Sequence, residues 1–132
     1  MGYTHYFPQN KSFTDDQWAN VQNGVRKILA YCEKQGIVLQ YEYNVAKPPS
    51  VTDSLIRFNG VEDEGHETFL ITKERNSDFL FCKTAYKPYD LAVCLTLLLI
   101  QEVAPGVLLV SSDGDDEDWK PARETFKQLF SD

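Results

Sequence analysis

The residues best equipped for chemistry lie between Gly65 and Val93, in GHETFLITKERNSDFLFCKTAYKPYDLAV. This stretch holds His66, Glu67, Cys82, Lys83, Thr84, Lys87, Tyr89 and Asp90. The apolar run that follows marks a helix whose mouth lies at Pro88–Asp90, and a helix N-terminus offers free backbone N–H groups to an anion. Lys83 and Lys87 precede that mouth closely, and Arg57 could grip a phosphate through two parallel hydrogen bonds. Tyr89 and either Tyr3 or Tyr6 could stack on or line a pocket. Only one of the latter two can face it in a regular strand, because their side chains alternate. Phe69 and Tyr86 are further flat faces. His66, Thr84, Asp90 and Ser112 would fix polar edges. This set suits a small nucleotide better than a sugar or a metal.

Each residue also has a plainer use. Asp90 favours the positive end of a helix, and Ser112 with Asp113-Gly114 reads as a turn. Arg57 can pair with a neighbouring carboxylate, and lysines are usually solvated. Cys82 fits the core side of a strand. A hydrolase would need His66 or His5 as base with Asp113 or Glu67 orienting it, and no local motif enforces that geometry. The order His66-Glu67 lacks the H-E-x-x-H spacing of a zinc helix. Asp113, Asp115 and Glu117, with Glu124 at the twelfth place, echo a calcium loop, but the sixth place holds Asp118 where glycine is needed. No catalytic residue, metal or cofactor is therefore assigned.

The elements that would position these residues are legible as periodicities. GYTHYF reads as a strand with Tyr3, His5 and Phe7 on one face. FTDDQW starts a helix, with Thr14 and Gln17 as a capping box and Phe13 stapled to Trp18. Its inward face is Trp18, Val21, Val25, Ile28, Leu29 and Cys32, and it stops at Gly36. IVLQYEY alternates as a half-buried strand, and NVAKPPS is a loop. SLIRFNG, HETFLITK and DFLFCKT are strands joined by GVEDEG and RNSD, which implies an antiparallel meander. The run LAVCLTLLLI forms a central core helix, apolar nearly all round, ending at Pro105-Gly106. VLLVSS reads as a central strand. DGDDED is a turn, and DWKPARETFKQLF is an amphipathic helix with Trp119, Ala122, Phe126 and Phe130 inward. The expectation is one α+β domain over 1–132, in the order β-α-β-β-β-β-α-β-α. It has one mainly antiparallel sheet of about six strands with three helices packed on it.

Bulk properties narrow the function classes. The chain has 132 residues, which fits one domain able to bury a core. A net charge of −7 removes any whole-protein attraction to duplex nucleic acid or to anionic lipid. It would suit an acidic protein that occupies a basic groove. Three cysteines without a CxxC pair point to reduced thiols and a cytoplasmic setting. MGYTHYFPQN has no basic start or apolar run, so no signal peptide is expected. Tyr6 stands where myristoylation wants Ser or Thr. The longest apolar run, at ten residues, is too short for a bilayer.

Five stretches in order, MGYTHYF, IRFNG, GHETF, FCKTAYKPYDLAV and SSDGDDEDW, resemble a family of small uncharacterised proteins from bacteriophages, prophages and bacteria. The resemblance covers most of the chain. That family brings no established activity and so no catalytic residues. It implies a phage-linked, host-cytoplasmic setting, in which small acidic proteins often counter host defence. The leading expectation is a binding protein that sequesters a small anionic ligand such as a nucleotide signal. The alternatives are an acidic protein that blocks a host protein's basic groove through Glu62–Glu64 and Asp113–Asp118, and a small phosphodiester hydrolase.

Overall fold

The computed structural model describes residues 3–42, 45–75 and 80–131. The elements are β1 (Thr4–Tyr6), α1 (Asp15–Lys34), β2 (Leu39–Gln40), β3 (Ser50–Val51), β4 (Leu55–Gly60), β5 (Phe69–Thr72), β6 (Phe81–Lys83), α2 (Asp90–Val103), β7 (Ser111–Ser112) and α3 (Asp116–Phe130). The fold is α+β, with three α-helices and seven antiparallel strands among the described residues. All of the predicted RNSD turn but Arg75, and the start of the strand after it, fall on residues 76–79, outside the described residues. So do Gly2 at the start of the first strand, and Tyr43 and Asn44.

Local chemistry starts the helices as the sequence predicts. The Thr14 side chain accepts the Gln17 N–H at 3.1 Å, and the Gln17 side chain accepts the Thr14 N–H at 2.9 Å. Phe13 lies edge-on to Trp18 at 5.1 Å. A second capping box, not foreseen, links Asp115 and Asp118 and starts α3. α2 buries most of its surface between α1 and α3. At the α1 crossing a Cβ on Gly24 would stand 2.4 Å from Leu99 Cδ2, so this close approach requires glycine.

The single sheet expected from the sequence is replaced by two. In one, β4 is the spine: β5 pairs along one side, and β3 and β2 lie end to end along the other. In the other, β1 is central between β6 and β7. The Pro48-Pro49 loop carries an extra strand, β3, because Ser50 and Val51 find Arg57 and Ile56 across β4. The last strand also differs from its prediction. Ser111–Ser112 joins the sheet at an edge rather than a centre, and Leu108 adds an isolated antiparallel bridge to Gln9. Val107 and Leu108 bury their side chains in the core.

Asn59 holds the connector that follows β4. Its Oδ1 accepts the N–H groups of Gly60 (2.7 Å) and His66 (3.1 Å), and its Nδ2 donates to the His66 carbonyl (2.9 Å) and Thr68 Oγ1 (3.1 Å). That clamp closes the acidic connector and places Glu67 against β6. There the Glu67 carboxylate accepts the Lys83 N–H at 2.7 Å.

Candidate functional site

β1 carries His5 into the middle of the molecule. The strand's alternation puts Tyr3, His5 and Phe7 on its buried face, and His5 is fully inaccessible. Its register sets Cys82 on one side and Ser112 on the other. His5 Nδ1 lies 2.8 Å from Ser112 Oγ, and Nε2 lies 2.6 Å from Asp90 Oδ1. Asp90 is in the first turn of α2 and also accepts the Thr84 hydroxyl at 2.6 Å. One turn further on, Cys94 Sγ sits 3.5 Å from His5 Nε2 and 3.5 Å from Asp90 Oδ2. Tyr3 and Trp119 present T-shaped contacts to the imidazole at 5.0 and 5.2 Å.

This is a hydrogen-bonded chain, Asp90–His5–Ser112, with the residue types of an acyl-transfer triad. The surroundings of Ser112 oppose that use. Its Oγ already accepts the Gly114 N–H at 2.8 Å and meets the Tyr3 hydroxyl as well as His5. A hydroxyl has one donor and two acceptor sites, and three partners fill them. Burial, with Asp90 and Cys94 behind it, pushes the Tyr3 phenol up, and burial beside Asp90 pushes the Cys94 thiol up. Both therefore stay protonated near neutral pH.

Above this network lies an exposed feature. Tyr86 stacks on Tyr3, centroids 3.8 Å apart and planes 20° apart, yet remains 63% exposed. It sits in a turn where Ala85 (φ +52°) and Tyr86 (φ +61°) are both left-handed, a conformation that costs a residue with a Cβ about 1–2 kcal/mol. The turn is pinned by Tyr3, whose carbonyl accepts both the Thr84 and the Ala85 N–H. Partial burial raises the Tyr86 phenol, and the carboxylates of Asp118, Asp115, Asp90 and Asp113 raise it further. Four exposed acids, Asp115 to Asp118, open α3 beside it. A cleft of about 210 Å³ runs along this edge, lined by Ser112, Gly114, Asp115, Asp116, Trp119 and Arg123 among others. Arg123 is itself paired with Asp116 at 3.6 Å.

No family model, curated protein or solved structure matches this chain. No helix among the described residues is long and apolar enough to cross a membrane.

Of the residues the sequence singles out, Tyr3, Thr84, Asp90 and Ser112 meet around His5. The others do not join them. Tyr89 is fully buried, and its hydroxyl donates to the Glu67 carbonyl at 2.5 Å, so it is a core pillar rather than a stacking platform. Tyr6 is half-buried, between Phe81 and Ser111 in the sheet register. His66 is exposed in a shallow cavity of about 340 Å³ with Lys87 and the acids Glu62, Asp63 and Glu67. Lys83 is on β6, whereas Arg57 is on β4 in the other sheet, bonded to Glu42 and lying over Tyr41 at 4.6 Å. The orienting acids assigned to a histidine base are also elsewhere. Asp113 accepts the Thr4 N–H at 3.0 Å, Glu67 holds Lys83, and the acid on His5 is Asp90.

Sequence reasoning left Cys94 out and offered His5 only as a spare base. Two signals were present. His5 alternates with Tyr3 and Phe7, both apolar and inward. Asp90 and Cys94 are four apart, which puts them on one face of a helix.

Proposed function

We propose that the protein is an interaction protein that occupies a basic groove of another protein, using the acidic corner around Tyr86. The observation behind this reading is Tyr86 itself. It is an aromatic ring held out in a left-handed turn, backed by Tyr3 and ringed by Asp113, Asp115 and Asp118. Pre-set aromatic anchors often dominate interfaces, each contributing about 2 kcal/mol or more. Surrounding carboxylates would steer a basic partner and reject an acidic one. On this reading the partner would be a host protein and the role counter-defence, the setting that the resemblance to phage and prophage proteins implies.

The test is affinity capture from bacterial cytosol at low and moderate salt, with wild type, Tyr86→Ala and the double reversal Asp115→Lys/Asp118→Lys. A basic partner held by wild type, released by salt and lost with both variants is the expected result. A partner held equally by all three would overturn the reading.

A second reading, sequestration of a small anionic ligand, is favoured by one observation at a different place. Arg57 and Lys47 both lie 4.6 Å from the Tyr41 ring, and the buried Arg57 Nε makes no hydrogen bond among the described residues. Calorimetric titration with a nucleotide panel tests it. Binding lost in Arg57→Gln would support it, and no heat with any nucleotide would end it.

A further inference from the structure

We infer that His5, Asp90 and Cys94 form a zinc-binding site. The inference goes beyond the docking reading and does not depend on it. The three side chains offer an imidazole nitrogen, a carboxylate oxygen and a sulfur, all within 4.8 Å of one another. Cysteine, histidine and carboxylate are the ligands zinc takes, and three protein ligands leave a fourth position open for water. Tetrahedral zinc, with Zn–S about 2.3 Å and Zn–N or Zn–O about 2.0–2.1 Å, sets its sulfur about 3.5 Å from each lighter ligand. The observed Sγ separations from His5 Nε2 and Asp90 Oδ2 are both 3.5 Å. Nε2 also meets the other oxygen of that carboxylate, Asp90 Oδ1, at 2.6 Å, in a hydrogen bond that the metal would replace.

The local sequence builds this face. Asp90 and Cys94 are one helical turn apart, and β1 delivers His5 opposite them. Two of the three ligands also have a supporting partner. Ser112 Oγ holds His5 Nδ1, leaving Nε2 for the metal, and Thr84 Oγ1 holds the Asp90 carboxylate. Ser112 can serve either imidazole tautomer, since its hydroxyl donates to a bare Nδ1 or accepts from an Nδ1–H. With a metal on Nε2, the imidazole carries its proton on Nδ1, towards Ser112. The Cys94 thiol loses its proton to solvent, and one thiolate and one carboxylate neutralise the dication. That removes the cost of a buried charge. The thiolate selects zinc over magnesium or calcium. The Asp90 side chain, 21% exposed, is the way in.

The test uses the full chain, reduced and stripped with chelator, titrated with cobalt(II) as a spectroscopic stand-in for zinc. One equivalent should produce thiolate-to-cobalt charge-transfer absorption, which zinc then abolishes. The band should vanish in Cys94→Ser and persist in Cys32→Ser. Thr84→Val should weaken binding about 10- to 100-fold, the range for lost supporting contacts. No such band at saturating cobalt, or a band lost with Cys32 rather than Cys94, overturns the site. If Cys94→Ser does not fold, X-ray absorption of zinc-loaded wild type decides. One sulfur among nitrogen and oxygen neighbours supports the site, whereas none, or two or more, overturns it. These measurements need no partner protein, so their failure is separate from failure of the docking reading.

Discussion

His5 on β1 and Asp90 on α2, 85 residues apart in the chain, meet at 2.6 Å with the histidine wholly buried. Asp90 is the common acceptor for the imidazole, the Thr84 hydroxyl and the Cys94 thiol. Asp90→Asn keeps the shape but removes the charge and aims an amide N–H at a donor. It should cost about 2–4 kcal/mol, because buried polar groups lose their shared partner. Urea denaturation of the two proteins measures it, and a loss under about 0.5 kcal/mol would mean the cluster does little for the fold.

Gly114 is a second sensitive point, for steric reasons. A Cβ there would stand 2.2 Å from the Tyr3 hydroxyl. Gly114→Ala should therefore displace Tyr3, cost about 1–3 kcal/mol as overpacking does, and unseat Tyr86. Denaturation together with partner capture would show both effects. Unchanged stability would mean the tyrosine can shift freely.

The turn at Ala85 gives a prediction of opposite sign. With φ at +52°, alanine bears a left-handed cost that glycine avoids, against glycine's greater freedom when unfolded. Ala85→Gly should leave stability unchanged or raise it by up to about 1 kcal/mol. Thermal melts report the sign, and a clear drop would show that the alanine methyl contributes packing there.

Alkaline pH should destabilise the protein. Burial pushes Cys32 up to about 11 and Cys82 up to about 12 from the ordinary thiol value of 9.0, and Cys94 upward as well. The unfolded thiols thus ionise first. Above about pH 9 the unfolded state binds fewer protons than the folded state, so stability is full below that point and falls as pH rises through it. The slope approaches about 1.4 kcal/mol per pH unit for each thiol. Melts between pH 7 and 10.5 would reveal the decline, and Cys32→Ala should make it shallower. A flat profile would show that the thiols titrate normally.

Much of the fold was legible because its signals are local. Thr14 with Gln17, the Phe13–Trp18 staple and the long apolar run of α2 each declare themselves within a few residues. The extra strand at Ser50–Val51 and the split into two sheets were not legible. Two-residue strands exist only through their partners, here Arg57 and Ile56 on β4. The site was half legible for the same reason. Thr84, Asp90 and Ser112 stood out as polar residues at element ends. His5, which joins Asp90 to Ser112, looked like one residue of an apolar strand face. Only the central position of β1, which sets Ser112 107 residues away in sequence against His5, makes it the hub. Arg57 shows the plainer of its two expected uses, pairing with a carboxylate, although only the fold names that partner as Glu42 from a neighbouring segment.

The burial of all three thiols turns them into clocks. Cys32 near the end of α1, Cys82 in β6 and Cys94 in the first turns of α2 can meet an alkylating reagent only when their own surroundings open. The labelling rate of each cysteine thus times the opening of one neighbourhood. A partner that grips the Tyr86 corner would slow the Cys94 clock and leave the Cys32 clock running at its own pace.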